Sequence, residues 1–143
     1  MDELKFAVIG NPVSHSLSPD IHLFFASQFQ LERYTYNKIK SNENDFERDI
    51  NDFFKNGGVG LNVTVPFKGL AYNLCDELDQ SAGLCKSVNT VLIDSGKLIG
   101  HSTDGQGLID DFLHREITLE DSKILIIGAG GSAASIISSL LLH

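Results

Sequence analysis

Apolar positions along the chain change spacing several times, and each change marks an element. Lys5-Phe6-Ala7-Val8-Ile9-Gly10 is a short apolar run closed by glycine and Asn11-Pro12, which predicts a buried strand ending in a loop. Ser18-Pro19 then offers a capping hydroxyl and a proline at the first helical position, and Ile21, Phe24, Phe25 and Phe29 repeat at helical spacing to about Leu31. Arg33 to Lys40 alternates Tyr34, Tyr36 and Ile39 with polar residues, as a strand does. Asn44 or Asp45 can cap a helix whose Phe46, Ile50, Phe53 and Phe54 form one apolar face, stopped by Gly57-Gly58.

Gly60 to Val65 predicts a third strand, ended by Pro66, which cannot donate a ladder hydrogen bond. Short helical patterns cover 67–75 and 77–84, and the runs 88–93 and 97–100 flank Asp94-Ser95-Gly96 as a hairpin. A helix is predicted over Thr103 to Arg115, capped by Thr103 or Asp104. Lys123-Ile124-Leu125-Ile126-Ile127 reads as a strand buried on both faces of a parallel sheet. It leads into Gly128-Ala129-Gly130-Gly131-Ser132 and a last helix carrying Ile136, Ile137, Leu140 and Leu141. Alternating strands and helices give an α/β protein. A strand, a glycine turn and a helix form one βα unit of a fold that needs several strands, so the chain is expected to be a piece of a longer protein.

Composition narrows the function classes. The 143 residues are 42% hydrophobic and 21% charged, an ordinary globular balance. Eleven Lys and Arg against 19 Asp and Glu leave a net charge of −8, the wrong sign for gripping a nucleic-acid backbone. No apolar run approaches the roughly 18 residues that span a bilayer, and the acidic start Met1-Asp2-Glu3 is unlike a signal peptide. A cytoplasmic protein without membrane or nucleic-acid partners is the expectation. Cys75 and Cys85 match neither a zinc nor a redox spacing and are expected to be buried thiols, and no metal site is indicated.

Five polar segments carry candidate chemistry. Ser14-His15-Ser16-Leu17-Ser18-Pro19 sets hydroxyls before a helix N-terminus, which suits a small carboxylate. In Asn62-Val63-Thr64-Val65-Pro66-Phe67-Lys68, Asn62 and Thr64 share a strand face and the proline brings Lys68 toward the strand end. Val88-Asn89-Thr90 and Ser102-Thr103-Asp104-Gly105 each place an amide, hydroxyl or carboxylate beside an apolar run. The turn from Gly128 to Ser132 is a variant of the glycine pattern that admits a pyrophosphate to a helix N-terminus. Taken singly, each is equally a cap, a tight turn or a solvated loop.

Their order and spacing together resemble one family, the shikimate dehydrogenases. The family's IGxPxxHSxSP corresponds to residues 9–19, its NVTxPxK to 62–68, its VNT to 88–90, its NTDG to 102–105 and its GAGG to 128–131. Four positions depart from it: Ser102 stands for asparagine, Lys86-Ser87 for Gly-Ala, and Ala134 for a basic residue after the glycine turn. The resemblance implies a substrate-binding α/β domain with a mostly parallel sheet over residues 1–102. A linker helix and the first βα unit of a Rossmann-like NADP-binding domain, truncated, would then occupy 103–143. It implies that Ser14, Ser16, Asn62, Thr64, Asn89 and Asp104 contact shikimate or 3-dehydroshikimate, and that Lys68 and Asp104 form the catalytic pair. Gly128, Ala129, Gly130, Gly131 and Ser132 would bind NADP.

The implied reaction is NADPH-dependent reduction of 3-dehydroshikimate to shikimate in aromatic amino acid biosynthesis, with this chain expected to be inactive by itself and a homodimer compatible with the sequence. The alternatives are a quinate or aminoshikimate dehydrogenase relative and a non-catalytic ligand-binding module; the presence of both Lys68 and Asp104 argues against the second alone, since a module that only binds needs no acid–base pair.

Overall fold

The computed structural model describes residues 3–143. Its elements are β1 (Leu4–Gly10), α1 (Ser18–Gln28), β2 (Tyr34–Lys40), α2 (Phe46–Lys55), β3 (Gly58–Val63) and α3 (Lys68–Leu74). They continue with β4 (Glu77–Leu78), α4 (Gln80–Cys85), β5 (Thr90–Asp94), β6 (Lys97–His101), α5 (Asp104–His114) and α6 (Gly131–Leu142). The strands form one sheet in the order β2-β1-β3-β5-β6-β4. β1 pairs in parallel with both β2 and β3, and β4 with β6, while β5 runs antiparallel to its neighbours β3 and β6. This is the expected α/β architecture with a mostly parallel sheet.

One face of the sheet carries the main core. Ala7, Ile9, Leu61, Val63 and Val91 project from β1, β3 and β5 onto Phe46, Ile50 and Phe54 of α2 and onto Phe67 and Ala71 around α3. The α2 stripe recurs at four-residue spacing, so a single face of that helix is buried. The β5–β6 hairpin turns through Ser95 and Gly96, both at positive φ, the backbone that a two-residue hairpin of the right twist requires.

Several expectations are corrected. Residues 123–127 form no strand: they lack regular structure, with Leu125 85% and Ile127 92% exposed. An extended segment becomes a strand only by exchanging N–H···O bonds with a neighbour, and none of the described residues provides one. α1 stops at Gln28, short of Leu31; its Phe24 and Phe25 and the following Phe29 are exposed, and Ala26 is its one buried residue. Ser18 does not cap α1, since Leu17 holds that position without a side-chain bond. Asp45 and Thr103 do occupy N-cap positions but make no capping bond, their side chains being engaged by Asn42 and Asn89. The expected helix over 77–84 is split, because Glu77–Leu78 pairs with β6 and Asp79 caps α4 by accepting from the Ala82 N–H at 2.6 Å. Cys85 is buried as expected, but Cys75 is only partly so, and burial lifts its thiol to about 11.

Candidate active site

Strand direction decides where the polar segments meet. β1 and β3 are parallel neighbours, so both end at the same sheet edge; the loops after them carry Ser14, Ser16 and Thr64, and Lys68 opens α3 just beyond. Because β5 is antiparallel to β3, its start, preceded by Asn89, lies at that same edge. β6 runs back along β5 and ends there too, delivering His101 and then Asp104 at the head of α5. The two loops are laced tightly: the Thr64 N–H donates to the Ile9 carbonyl at 2.9 Å and the Asn11 N–H to the Val65 carbonyl at 2.9 Å. Glycine is required at position 10, where a Cβ would stand 2.4 Å from the Thr64 methyl.

The centre of the cluster is an ion pair. The Lys68 Nζ donates to Asp104 Oδ2, both side chains being mostly shielded from solvent. Asp104 Oδ1 accepts from Asn89 Nδ2 at 2.7 Å, and Asn89 Oδ1 accepts from the Thr103 N–H at 3.1 Å. The Asn89 amide therefore bridges the start of β5 to the start of α5 and fixes the carboxylate plane. Lys68 also donates to Ser132 Oγ at 2.9 Å, and that hydroxyl donates to Asp104 Oδ2 at 3.2 Å.

Asn62 lies one strand position back, and its amide is held by three protein groups. Its Oδ1 accepts from the Tyr36 hydroxyl at 2.7 Å, while its Nδ2 donates to the Asn89 carbonyl at 3.4 Å and to Thr90 Oγ1 at 3.2 Å. Tyr36 is 5% exposed, and its ring stacks on His22 with centroids 4.4 Å apart. Burial is the main cause that pushes the phenol up to about 12, and burial also lowers His22. In the opening loop, the Ser18 N–H donates to Ser16 Oγ at 3.2 Å, and Lys38 Nζ holds the Ser14 carbonyl at 2.6 Å. A continuous hydrogen-bonded path thus runs from Tyr36 through Asn62 and Asn89 to Asp104, Lys68 and Ser132.

The glycine turn divides in two. Gly128, Ala129 and Gly130 are exposed, Gly128 sits at φ +128°, and a Cβ at Gly128 or Gly130 would meet open space. Gly130 caps α6 without any side-chain acceptor, so the first N–H groups of this 12-residue helix are free of side-chain partners, as a phosphate site needs. Gly131, in contrast, packs inward: a Cβ there would lie 2.6 Å from Ser87 Oγ and 3.1 Å from Lys68 Cβ. The helix is pinned by Ser135 Oγ, which bonds Ser102 Oγ at 2.8 Å and accepts from the Gly105 N–H at 3.0 Å. Ser102, the departure from the family's asparagine, is thus a buried docking hydroxyl.

Lys68, Asn89, Asp104 and Ser132 meet directly, and Asn62 joins them through Asn89. The Ser16 hydroxyl bonds Ser18 rather than this cluster, while Ser14 and Thr64 are tied to the same edge by their backbone groups. Tyr36 and Ser135 are the members that sequence reasoning missed. Tyr36 looked like one more apolar position of an alternating strand, and nothing in its spacing signals a hydroxyl aimed at a strand two places away in the sheet.

An α/β sheet that gathers its polar side chains at the carboxyl ends of parallel strands, beside a glycine turn opening a helix, has the layout of the nucleotide-linked α/β enzymes. The family model for the shikimate dehydrogenase substrate binding domain matches residues 8–91, more than half of the chain, and the chain belongs to that family. It is 50% identical over 137 residues to a shikimate dehydrogenase (NADP(+)) of Legionella pneumophila, covering 96% of this chain and 51% of the relative. The shikimate dehydrogenase (NADP(+)) of Acinetobacter baylyi is 43% identical over 137 residues, covering 96% of this chain and 52% of the relative. The crystal structure of shikimate 5-dehydrogenase from Thermus thermophilus in complex with NADP(H) and shikimate matches with a TM-score of 0.90 and 32% identity, covering 97% of this chain and 52% of that one. The chain spans about half the length of the curated relatives it matches.

Proposed function

We propose that this chain supplies the substrate-binding part, residues 1–102, and the beginning of the NADP-binding part, residues 103–143, of a cytoplasmic shikimate dehydrogenase that reduces 3-dehydroshikimate with NADPH. The observation that carries this reading is the Lys68–Asp104 ion pair, held by Asn89 at the sheet edge where the family's other substrate residues converge. NADPH would supply the hydride when bound, against the free N–H groups at the start of α6. Addition of hydride to a ketone leaves charge on its oxygen, and the chain's own work is to meet that charge with a proton. Lys68 gives its proton to the oxygen and Asp104 holds the resulting amine in place until it is reprotonated. Ser14, Ser16 and Thr64 offer hydroxyls to the substrate carboxylate, and Asn89 offers its amide to a ring hydroxyl. Asn62 serves with its amide engaged, by fixing the strand that presents Asn89.

The test joins residues 1–143 to the second half of the Legionella pneumophila relative and follows loss of NADPH absorbance with 3-dehydroshikimate. Lys68→Ala is expected to lower turnover by about 10²–10⁴ while shikimate binding changes much less. Turnover within threefold of the unsubstituted enzyme would remove Lys68 from the mechanism. Quinate in place of shikimate as the ligand separates the two acid preferences in the same titration.

A further inference from the structure

We propose that Ser132 is a positioning residue for the Lys68–Asp104 pair, setting the direction of the lysine ammonium from the cofactor side of the site. The inference rests on the reading of that pair as the acid–base centre and adds a residue to it. A lysine ammonium has three N–H groups on a rotating Cε–Nζ bond, and a single partner leaves two of them to water or to any competing acceptor. Here two partners hold it: Asp104 Oδ2 takes one N–H and Ser132 Oγ takes a second at 2.9 Å. The hydroxyl closes the triangle by donating to Asp104 Oδ2 at 3.2 Å, while Asn89 fixes the other carboxylate oxygen at 2.7 Å. With two of its donors engaged and the torsion held by both, only the third N–H is left, and that is the proton a substrate oxygen would meet.

The anchor is itself held in place. Ser132 lies one residue inside α6, and one turn further along the same helix face Ser135 is buried and bonded to Ser102 and to the Gly105 N–H. Gly131 lets the helix start lie against the Lys68 stem, where a Cβ would stand 3.1 Å from Lys68 Cβ. The hydroxyl therefore arrives at the ammonium on a rigid element rather than on a loop. The same helix start carries the exposed glycines and the free N–H groups, so docking of α6 prepares both sides of the site at once.

The experiment uses the joined enzyme described above, with Ser132→Ala, Ser132→Thr, Lys68→Ala and the Ser132→Ala/Lys68→Ala pair. Removing one hydrogen bond to a charged group is expected to lower kcat about tenfold in Ser132→Ala, with KM for 3-dehydroshikimate and for NADPH within about twofold. Ser132→Thr, which keeps the hydroxyl, is expected to recover kcat to within about threefold of the unsubstituted enzyme. In the Lys68→Ala background the serine substitution is expected to cost nothing further, since it acts through the lysine. A raised KM for NADPH at unchanged kcat would make Ser132 a phosphate ligand and overturn the proposal, as would failure of threonine to rescue or an additive loss in the double variant. Lys68→Ala with near-normal turnover is a different failure, that of the acid–base reading itself.

A second measurement decides the matter if the joined chain does not fold. In the 143-residue chain labelled with ¹⁵N-lysine, the Lys68 ammonium resonance is expected to be visible because hydrogen bonding slows its exchange with water. It is expected to be lost in Ser132→Ala and retained in Ser132→Thr. An unchanged resonance in Ser132→Ala would overturn the proposal.

Discussion

Replacing Tyr36 by phenylalanine removes one oxygen from the end of the polar path, and its effect on stability should change with pH in a calculable way. At about pH 8 the loss strands Asn62 Oδ1, whose donor at 2.7 Å was the phenol, in a partly buried position. An unsatisfied acceptor of this kind costs about 1–2 kcal/mol. The phenol itself titrates differently in the two states, near 10 when unfolded and about 12 in the fold, where burial disfavours the phenolate. Between those values the folded chain holds one more proton than the unfolded chain, so stability falls as pH rises. At about pH 11 the native protein should have lost about 1.4 kcal/mol, one pKa unit's worth, that the phenylalanine variant cannot lose. Urea unfolding followed by circular dichroism from about pH 8 to about pH 11 measures both proteins. The native chain is expected to be more stable at the lower pH and the gap to close almost completely at the upper one. A gap that stays constant across this range would refute the buried, hydrogen-bonded phenol.

Gly105→Ala would place a Cβ 2.3 Å from both the Ser135 carbonyl oxygen and Ser139 Oγ, so α6 has to move away from α5. A destabilisation of about 1–3 kcal/mol is expected, and amide hydrogen exchange should show the loss concentrated in residues 131–142; uniform loss would place the strain elsewhere. Ser14→Ala and Ser16→Ala are each expected to weaken shikimate binding by about 1–3 kcal/mol with stability little changed, and a titration in which only stability falls would make these hydroxyls structural.

How legible the molecule was depends on the range of the interaction concerned. The α2 stripe Phe46, Ile50, Phe54 was read correctly because one helix and one sheet face suffice to satisfy it, and both lie within the described chain. The α1 aromatics and the 123–127 run carry equally strong patterns yet stand exposed, since a pattern states only that a residue fits a buried place and cannot supply the neighbour. The cap at Asp79 formed as such a residue should, whereas Thr103 gave its hydroxyl to Asn89, 14 positions away in sequence, because a tertiary partner was closer to hand than its own helix N–H groups.

By itself the sequence determined the order of most strands and helices, the hairpin at Ser95-Gly96 and which polar segments are candidates for a site, because each is written in local spacing and residue type. Only the tertiary structure decided which hydroxyls and amides meet. Parallel pairing of β1 with β3 and antiparallel pairing of β3 with β5 bring distant loops to one edge. Docking of α6 through Ser135 carries Ser132 across to Lys68, 64 positions away in the chain. Hydrogen-bond direction and distance are set by how rigid elements pack, and no property of either residue alone contains that information.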